Sequence, residues 1–386
     1  MDKLIYFDNN ATTPVALKVF KAMEPFYKDE YGNASSIHAK GRPARLAIDK
    51  ARHAIASLIG ASDEDIIFTS GGTESDNIAI KGAVLANSSK GNHIITSKTE
   101  HSAVLATCKF MEKNGFTVTY LPVNKYGMVL PDDLKNAITE KTVLVTIMHA
   151  NNETGTINPI KELAAIAKEK KILFHTDAVQ SFGKLDTDAG NLGVDLLSVS
   201  AHKIHGPKGV GALYVKKGVK ITPLTHGGHH ERKLRAGTEN VPGIIGFAKA
   251  AELISVDREN KNQALTNLRN RLHNGISEKI NNVYLNGHPT QRLPGTLNLS
   301  FRYIEGESIM LNLDMQGVCV STGSACTSGT LEPSHVLTAM GVAVDIAQGS
   351  IRFSLSDINT QSEVDYCISI LPEIIKRLRA MSPLKK

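Results

Sequence analysis

Asp195-Leu196-Leu197-Ser198-Val199-Ser200-Ala201-His202-Lys203-Ile204-His205-Gly206-Pro207-Lys208-Gly209-Val210-Gly211 is an apolar run that ends on hydroxyl and small residues, sets down a lysine, and turns through glycines into a second apolar run, Gly211–Val215. A short apolar run bounded by turn signals reads as a buried strand, here Leu196–Ser200. Working outward, similar runs recur at 65–69, His93–Ser97, Thr117–Leu121, 143–148 and 173–176. Amphipathic stretches intervene after most of the early ones, at Ser102–Lys113 and 160–171, and another at 44–58 follows Gly41. Strands alternating with helices predict a wound α/β fold with a large, mainly parallel seven-stranded sheet. Thr13 as N-cap and Pro14 at the first helical position predict an opening helix toward Tyr27.

A polar helical stretch at 257–279 reads as a connector, so we expect a large domain over 15–256. A smaller α+β domain is expected from 1–14 and 257–386. Within it, Thr296–Phe301 and Ser350–Ser354 alternate as half-buried strands, and Gln361–Met381 closes the chain as an amphipathic helix.

Composition narrows the function classes. Of 386 residues, 41% are hydrophobic and 21% charged, which fits a folded enzyme-sized chain and excludes disorder. No run approaches the roughly 18 apolar residues of a membrane span. The net charge of +6 is spread along the chain, and aromatics are 5% with no tryptophan, so neither a nucleic acid nor a membrane is an expected partner. Four cysteines, Cys108, Cys319, Cys326 and Cys367, have no CxxC spacing and fit a reducing, cytoplasmic setting. Cys319 and Cys367 lie in apolar stretches and read as inert core, and Cys108 reads as helix packing. Cys326 differs, because Ser321-Thr322-Gly323-Ser324-Ala325-Cys326-Thr327-Ser328-Gly329-Thr330 is a small-residue loop without an apolar anchor.

Three turns stand at strand ends, where open α/β sheets place ligands. Thr69-Ser70-Gly71-Gly72-Thr73-Glu74 offers glycine backbone, free helix-start N–H groups and the Thr73 hydroxyl, a cradle for a phosphate. It lacks the spacing of a nucleotide P-loop or a dinucleotide site. His175-Thr176-Asp177-Ala178-Val179-Gln180 ends a buried strand on an acid that must meet a cation or donors. Lys203 ends the next. Each turn alone has an ordinary structural explanation. Together they suit pyridoxal phosphate, whose aldehyde takes a lysine and whose ring nitrogen takes a carboxylate. A zinc site at His202 and His205 competes with this reading, although no cysteine or acidic ligand is near.

The stretch 200–209 matches more than generic cofactor chemistry. With Tyr6-Phe7-Asp8-Asn9-Asn10-Ala11-Thr12-Thr13-Pro14, Tyr31-Gly32-Asn33-Ala34-Ser35-Ser36-Ile37-His38, Ser321 to Cys326 and Gln348-Gly349-Ser350-Ile351-Arg352, it makes the whole chain resemble the cysteine desulfurases, the NifS/IscS-like group of the class V aminotransferase family. The resemblance implies a fold-type I, pyridoxal-phosphate-dependent enzyme that converts L-cysteine to L-alanine. Lys203 would form the Schiff base and remove the Cα proton, and Asp177 would partner the ring nitrogen. Gln180 and Asn152 would hold the phenolic oxygen. Gly72, Thr73, Ser200 and His202 would hold the phosphate. His101 would stack on the ring and move protons, and Arg352, with Asn152 nearby, would grip the substrate carboxylate.

Cys326 would take the sulfur as a persulfide. Arg235-Ala236-Gly237-Thr238-Glu239-Asn240 resembles a segment that lends a threonine, here Thr238, to the phosphate of the neighbouring subunit, so a homodimer is implied. Upstream, in Gly227-Gly228-His229-His230-Glu231, His229 and His230 stand where members of that family often carry Gly and Gln. The sulfur acceptor would be an iron–sulfur scaffold or a tRNA-thiolation enzyme. No resident metal is expected, and whether Cys326 also ligates a cluster on a bound scaffold stays open. The competing readings are a selenocysteine lyase, which need not use a loop cysteine, and a non-catalytic persulfide carrier.

Overall fold

The computed structural model describes residues 4–322 and 333–383. Its strands in chain order are β1 (Ile5–Tyr6), β2 (Ile66–Thr69), β3 (His93–Ser97), β4 (Thr117–Leu121), β5 (Thr142–Thr146), β6 (Leu173–Asp177), β7 (Leu196–Ser200), β8 (Gly211–Val215), β9 (Val283–Asn286), β10 (Thr296–Phe301), β11 (Val318–Cys319), β12 (Ser321–Thr322) and β13 (Ser350–Ser354). The large sheet has the order β2-β8-β7-β6-β5-β3-β4. Within it β8 runs antiparallel to both neighbours, and every other pairing is parallel.

Strands β3, β5, β7 and β8 are buried along their whole length. This is why their sequences read as unbroken apolar runs: helices cover both faces. Alternate residues divide between the two sides. Ile66, Phe68, Leu197 and Val199 join one apolar cluster, with Ile48 and Ile55 of helix Gly41–Ile59 and Phe247 of helix Val241–Ser255. Ile67, Leu196 and Leu213 join the other, with Val104 and Met111 of helix Ser102–Lys113.

The expected opening helix is corrected. The helix starts at Leu17, because the Thr13 hydroxyl donates to the His202 carbonyl at 2.9 Å and accepts from the His205 N–H at 2.8 Å. The residue that looked like a local cap is a long-range tether on the segment carrying Lys203.

A second sheet, β12-β13-β10-β9, is antiparallel, and β1 pairs in parallel with β11. Leu297, Leu299, Phe301, Ile351 and Phe353 pack with Phe7 and with Val364 and Leu371 of helix Gln361–Met381 in a separate apolar cluster. Here a second expectation is overturned. β10 and β13 are buried on both faces, not half-buried. Their polar residues face other parts of the chain: Thr296 accepts from Asn10 at 2.9 Å, Asn298 donates to the Glu153 carbonyl at 3.2 Å, and Ser354 accepts from the Asn10 N–H at 2.9 Å. Cys319 also departs from the core reading. It is half-buried, on the short β11 that pairs with β1. Among the described residues no helix is long and apolar enough to cross a membrane.

Candidate active site

A cavity of about 500 Å³ lies between the large sheet and the polar face of the second sheet. Asp177 reaches it from the end of β6 and Ser200 from the end of β7, followed by His202 and Lys203 in a single 3₁₀ turn. Gly72, Thr73 and Asp76 enter from the short helix after β2, His101 from the start of helix Ser102–Lys113, and Arg352 from β13. Asn152 and Gln180 complete the expected set, and Asp8, Asn10 and Ser321 join it. Two expected residues are not among these. Thr238 is exposed and outside the cavity lining, and Cys326 lies outside the described residues.

Glycine is required where the two turns meet. Gly71 has φ +149° and ψ −176°, a conformation essentially closed to other residues. A Cβ on Gly211 would stand 2.7 Å from the Gly71 Cα and 2.6 Å from the Val199 carbonyl oxygen. The β2 turn can therefore lie directly against the strand that follows the lysine.

The Lys203 ammonium donates to the carbonyls of Asn10 and Ala11 at 2.6 and 2.7 Å. Burial, then the charges of Arg352 and Lys184, push its pKa down to about 7. Asp177 is buried and accepts the Val179 N–H at 2.9 Å. Burial raises its pKa, against the opposing pull of His101 and Lys203. Beside it, Asp76 is raised further, first by burial and then by the charge of Asp177. His175, one pleat back on β6, is held neutral by burial, with its pKa pushed down to about 3. Its ring nitrogens bond the Thr146 and Ser198 hydroxyls at 2.8 and 3.0 Å.

His101 caps its own helix, its Nδ1 accepting the Ala103 N–H at 3.1 Å. That bond assigns the proton of the neutral ring to Nε2. Burial lowers its pKa. His202 is likewise pushed down to about 4 by burial and by Lys203, and its Nδ1 pairs with the Thr12 hydroxyl at 3.1 Å. His205 turns to a different cavity and pairs with Asp357 at 3.1 Å. The two histidines of the zinc reading therefore do not converge.

Arg352 is 5% exposed, so it is no surface arginine. Its Nη2 meets Asp8 at 2.7 Å, its Nη1 donates to the Asn152 carbonyl at 3.2 Å, and its Nε is buried without a partner. Asn10 is the hub of the floor. Its carbonyl accepts from Lys203 and Gln180, and its amide donates to the Asn152 carbonyl and the Thr296 hydroxyl.

The family model for aminotransferase class-V matches residues 5–367. The chain belongs to the class-V aminotransferase family. Among its relatives in that family, a cysteine desulfurase IscS from Dictyoglomus turgidum is 56% identical over 386 residues, covering 100% of this chain and 98% of the relative. Another of the same name from Methanosarcina thermophila is 56% identical over 383 residues, covering 99% and 95%. A solved NifS-like protein superposes with TM-score 0.92 at 43% identity, covering 97% of this chain and 100% of the other. SspA in complex with cysteine superposes with TM-score 0.83 at 38% identity, covering 92% and 100%.

This class-V aminotransferase uses pyridoxal phosphate. The donor set suits the cofactor. Gln180 Oε1 is buried without a hydrogen-bond partner beside the Asp177 carboxylate and the Lys203 amine, and the Gly71-Gly72 turn leaves room for an anion near Ser200. Sequence reading assigned no role to Asp8, Asn10 or Asp76. Asp8 and Asn10 stand in a stretch that carries the family resemblance, and Asp76 follows the phosphate-cradle motif, but neither position names its partners.

Proposed function

We infer that the chain is a pyridoxal-phosphate-dependent cysteine desulfurase that releases L-alanine and leaves sulfur on Cys326. The observation that carries this reading is Lys203 and Asp177 at the ends of adjacent parallel strands, with Arg352 facing the same cavity from the second sheet. The names of the full-length relatives support the substrate.

Gly72, Thr73, Ser200 and His202 would hold the cofactor phosphate, Asp177 its ring nitrogen, and Gln180 and Asn152 its phenolic oxygen. When bound, the cofactor supplies an electron sink at the substrate Cα. Arg352 orients the substrate carboxylate. Lys203 takes the Cα proton at Nζ, a role suited to an amine whose pKa lies near neutrality. His101, with its proton on Nε2, exchanges it with the departing sulfur side. The Cys326 thiolate attacks the substrate sulfur, so an S–S bond forms as the Cβ–S bond breaks. The electron pair of that bond stays on the carbon side, and a proton at Cβ and the return of one from Lys203 Nζ to Cα complete L-alanine.

Further parts of the reading concern the assembly. Two subunits pair so that Thr238 of each reaches the other's phosphate site; exposed Phe20, Tyr27, Tyr31 and Ile37 support such a face. The large unit over 15–256 and the smaller one from 1–14 and 257–386 are supported by their separate apolar clusters. The persulfide passes to an acceptor protein for iron–sulfur assembly or tRNA thiolation, in the cytoplasm.

The test is L-alanine release from L-cysteine by the cofactor-loaded protein with reductant. Wild type should turn over, and Lys203→Ala and Cys326→Ala should not. Turnover surviving in Cys326→Ala would instead favour a lyase that needs no persulfide.

A further inference from the structure

We propose that Asp8 is a built-in competitor for the carboxylate site on Arg352, and that it sets how tightly the pocket holds the amino-acid substrate and product. The proposal rests on the reading of Arg352 as the substrate-carboxylate grip.

A guanidinium offers two bidentate forks, Nε with Nη2 and Nη1 with Nη2. Both use Nη2, and Nη2 already meets the Asp8 carboxylate at 2.7 Å. Nη1 is held by the Asn152 carbonyl, and Nε is buried with no partner. Whichever fork a ligand takes, it therefore needs Nη2, the nitrogen that Asp8 holds. An incoming carboxylate must displace Asp8 or share one cation with it, and two carboxylates on one cation repel.

The two partners are not equally free to move. The Arg352 side chain is 6% exposed and rises from the middle of β13, paired with Asn298 on one side and Ser321 on the other. The Asp8 side chain is 20% exposed, so it has a route to water that the arginine lacks. In the free pocket Asp8 neutralises a cation that stands close enough to Lys203 to lower its pKa. When ligand arrives, Asp8 is the group that yields. Substrate and product carry the same carboxylate, so the competition weakens both, and the return of Asp8 to Nη2 helps expel L-alanine.

The experiment titrates the cofactor-loaded protein with L-alanine and with L-alaninamide, which lacks the carboxylate, using calorimetry. Asp8→Asn keeps the size of the side chain and removes its charge; Asp8→Ala removes both. In each, L-alanine should bind at least about fivefold tighter, the low end of couplings between interacting ligands. L-alaninamide should bind as in wild type, and KM for L-cysteine should fall alongside. Damage to the fold weakens binding, so it cannot imitate this result. Unchanged or weaker L-alanine binding overturns the proposal and makes Asp8 only an aligner of Arg352. Arg352→Gln, measured in parallel, tests the underlying reading separately. It should erase the preference for L-alanine over L-alaninamide, and a preference that survives defeats the arginine assignment, whatever Asp8 does.

Discussion

Lys203 shows how burial sets chemistry at one residue. Two carbonyls accept its protons, which favours the ammonium, yet loss of water and the nearby Arg352 charge prevail and bring the pKa to about 7. The amine is therefore mostly neutral, and able to attack an aldehyde, above that pH. Capture of pyridoxal phosphate by the cofactor-free protein should accelerate from about pH 6 to about pH 8 and then level off, read from the growth of visible absorbance. A flat profile would place the controlling group elsewhere. Because the folded pKa lies below the ordinary 10.5, the folded state binds fewer protons between about 7 and 10.5, and stability rises with pH across that window. Lys203→Met should flatten that slope in urea denaturation of the cofactor-free protein. Glu100 has the opposite sign. Burial raises its pKa to about 8, so it is mostly protonated at neutral pH, and its contribution to stability falls as pH rises from 4.5 through about 8. Its carboxyl accepts from the Ser97 hydroxyl at 2.6 Å and from the Met148 N–H at 3.0 Å. Glu100→Gln should keep stability at neutral pH, while Glu100→Ala leaves the buried Met148 donor unpaired and should cost about 2 kcal/mol by urea denaturation.

At the scale of elements, the segment after the large sheet depends on one carboxylate. Glu231, Arg232 and Lys233 all have positive φ, at 41°, 55° and 68°, which side chains adopt only when something holds them. Glu231 supplies the hold. Its two oxygens take the Arg52 fork at 2.7 Å each, and Oε2 also accepts the Phe68 N–H of β2 at 2.9 Å. Glu231→Ala should lower stability by about 3 kcal/mol, because it strands a largely buried arginine, and Arg52→Met in the same background should recover part of the loss. The seven strands of the large sheet lie within two residues of the ends that the sequence pattern predicts: burial on both faces leaves the inner strands as apolar runs that glycines and hydroxyls punctuate, and the half-exposed edge strand β4 is marked by its β-branched and aromatic residues. The second sheet was harder to read. Leu297, Leu299 and Phe301 alternate with Thr296, Asn298 and Ser300, and alternation states that two faces differ without stating what covers the polar one. Here other segments of the chain cover it, not water.

At the scale of the whole molecule, the proposed pairing of subunits draws on exposed apolar surface. Ile37 is 90% exposed and Tyr27, Tyr31 and Phe20 are more than half exposed, which leaves apolar surface for a partner. The protein should sediment as a dimer, and Ile37→Asp should shift it toward monomer and loosen retained pyridoxal phosphate together. A monomer that keeps its cofactor as wild type does would remove Thr238 from the phosphate site. Lys203, Asp177, Thr73 and His202 were visible in the sequence as groups at strand ends, and the family resemblance supplied what Arg352 and His101 should do. The partners of Asp8 and Thr13 were not visible, because Arg352 lies 344 residues from Asp8 and His205 lies 192 from Thr13. By itself the sequence determined the strand pattern, the turns and the kinds of chemical group at their ends, since backbone sterics and side-chain period act over a few residues. Only the tertiary structure decided which charges face each other, which polar face is buried and which amine loses its proton, since those depend on burial and on contacts between distant segments.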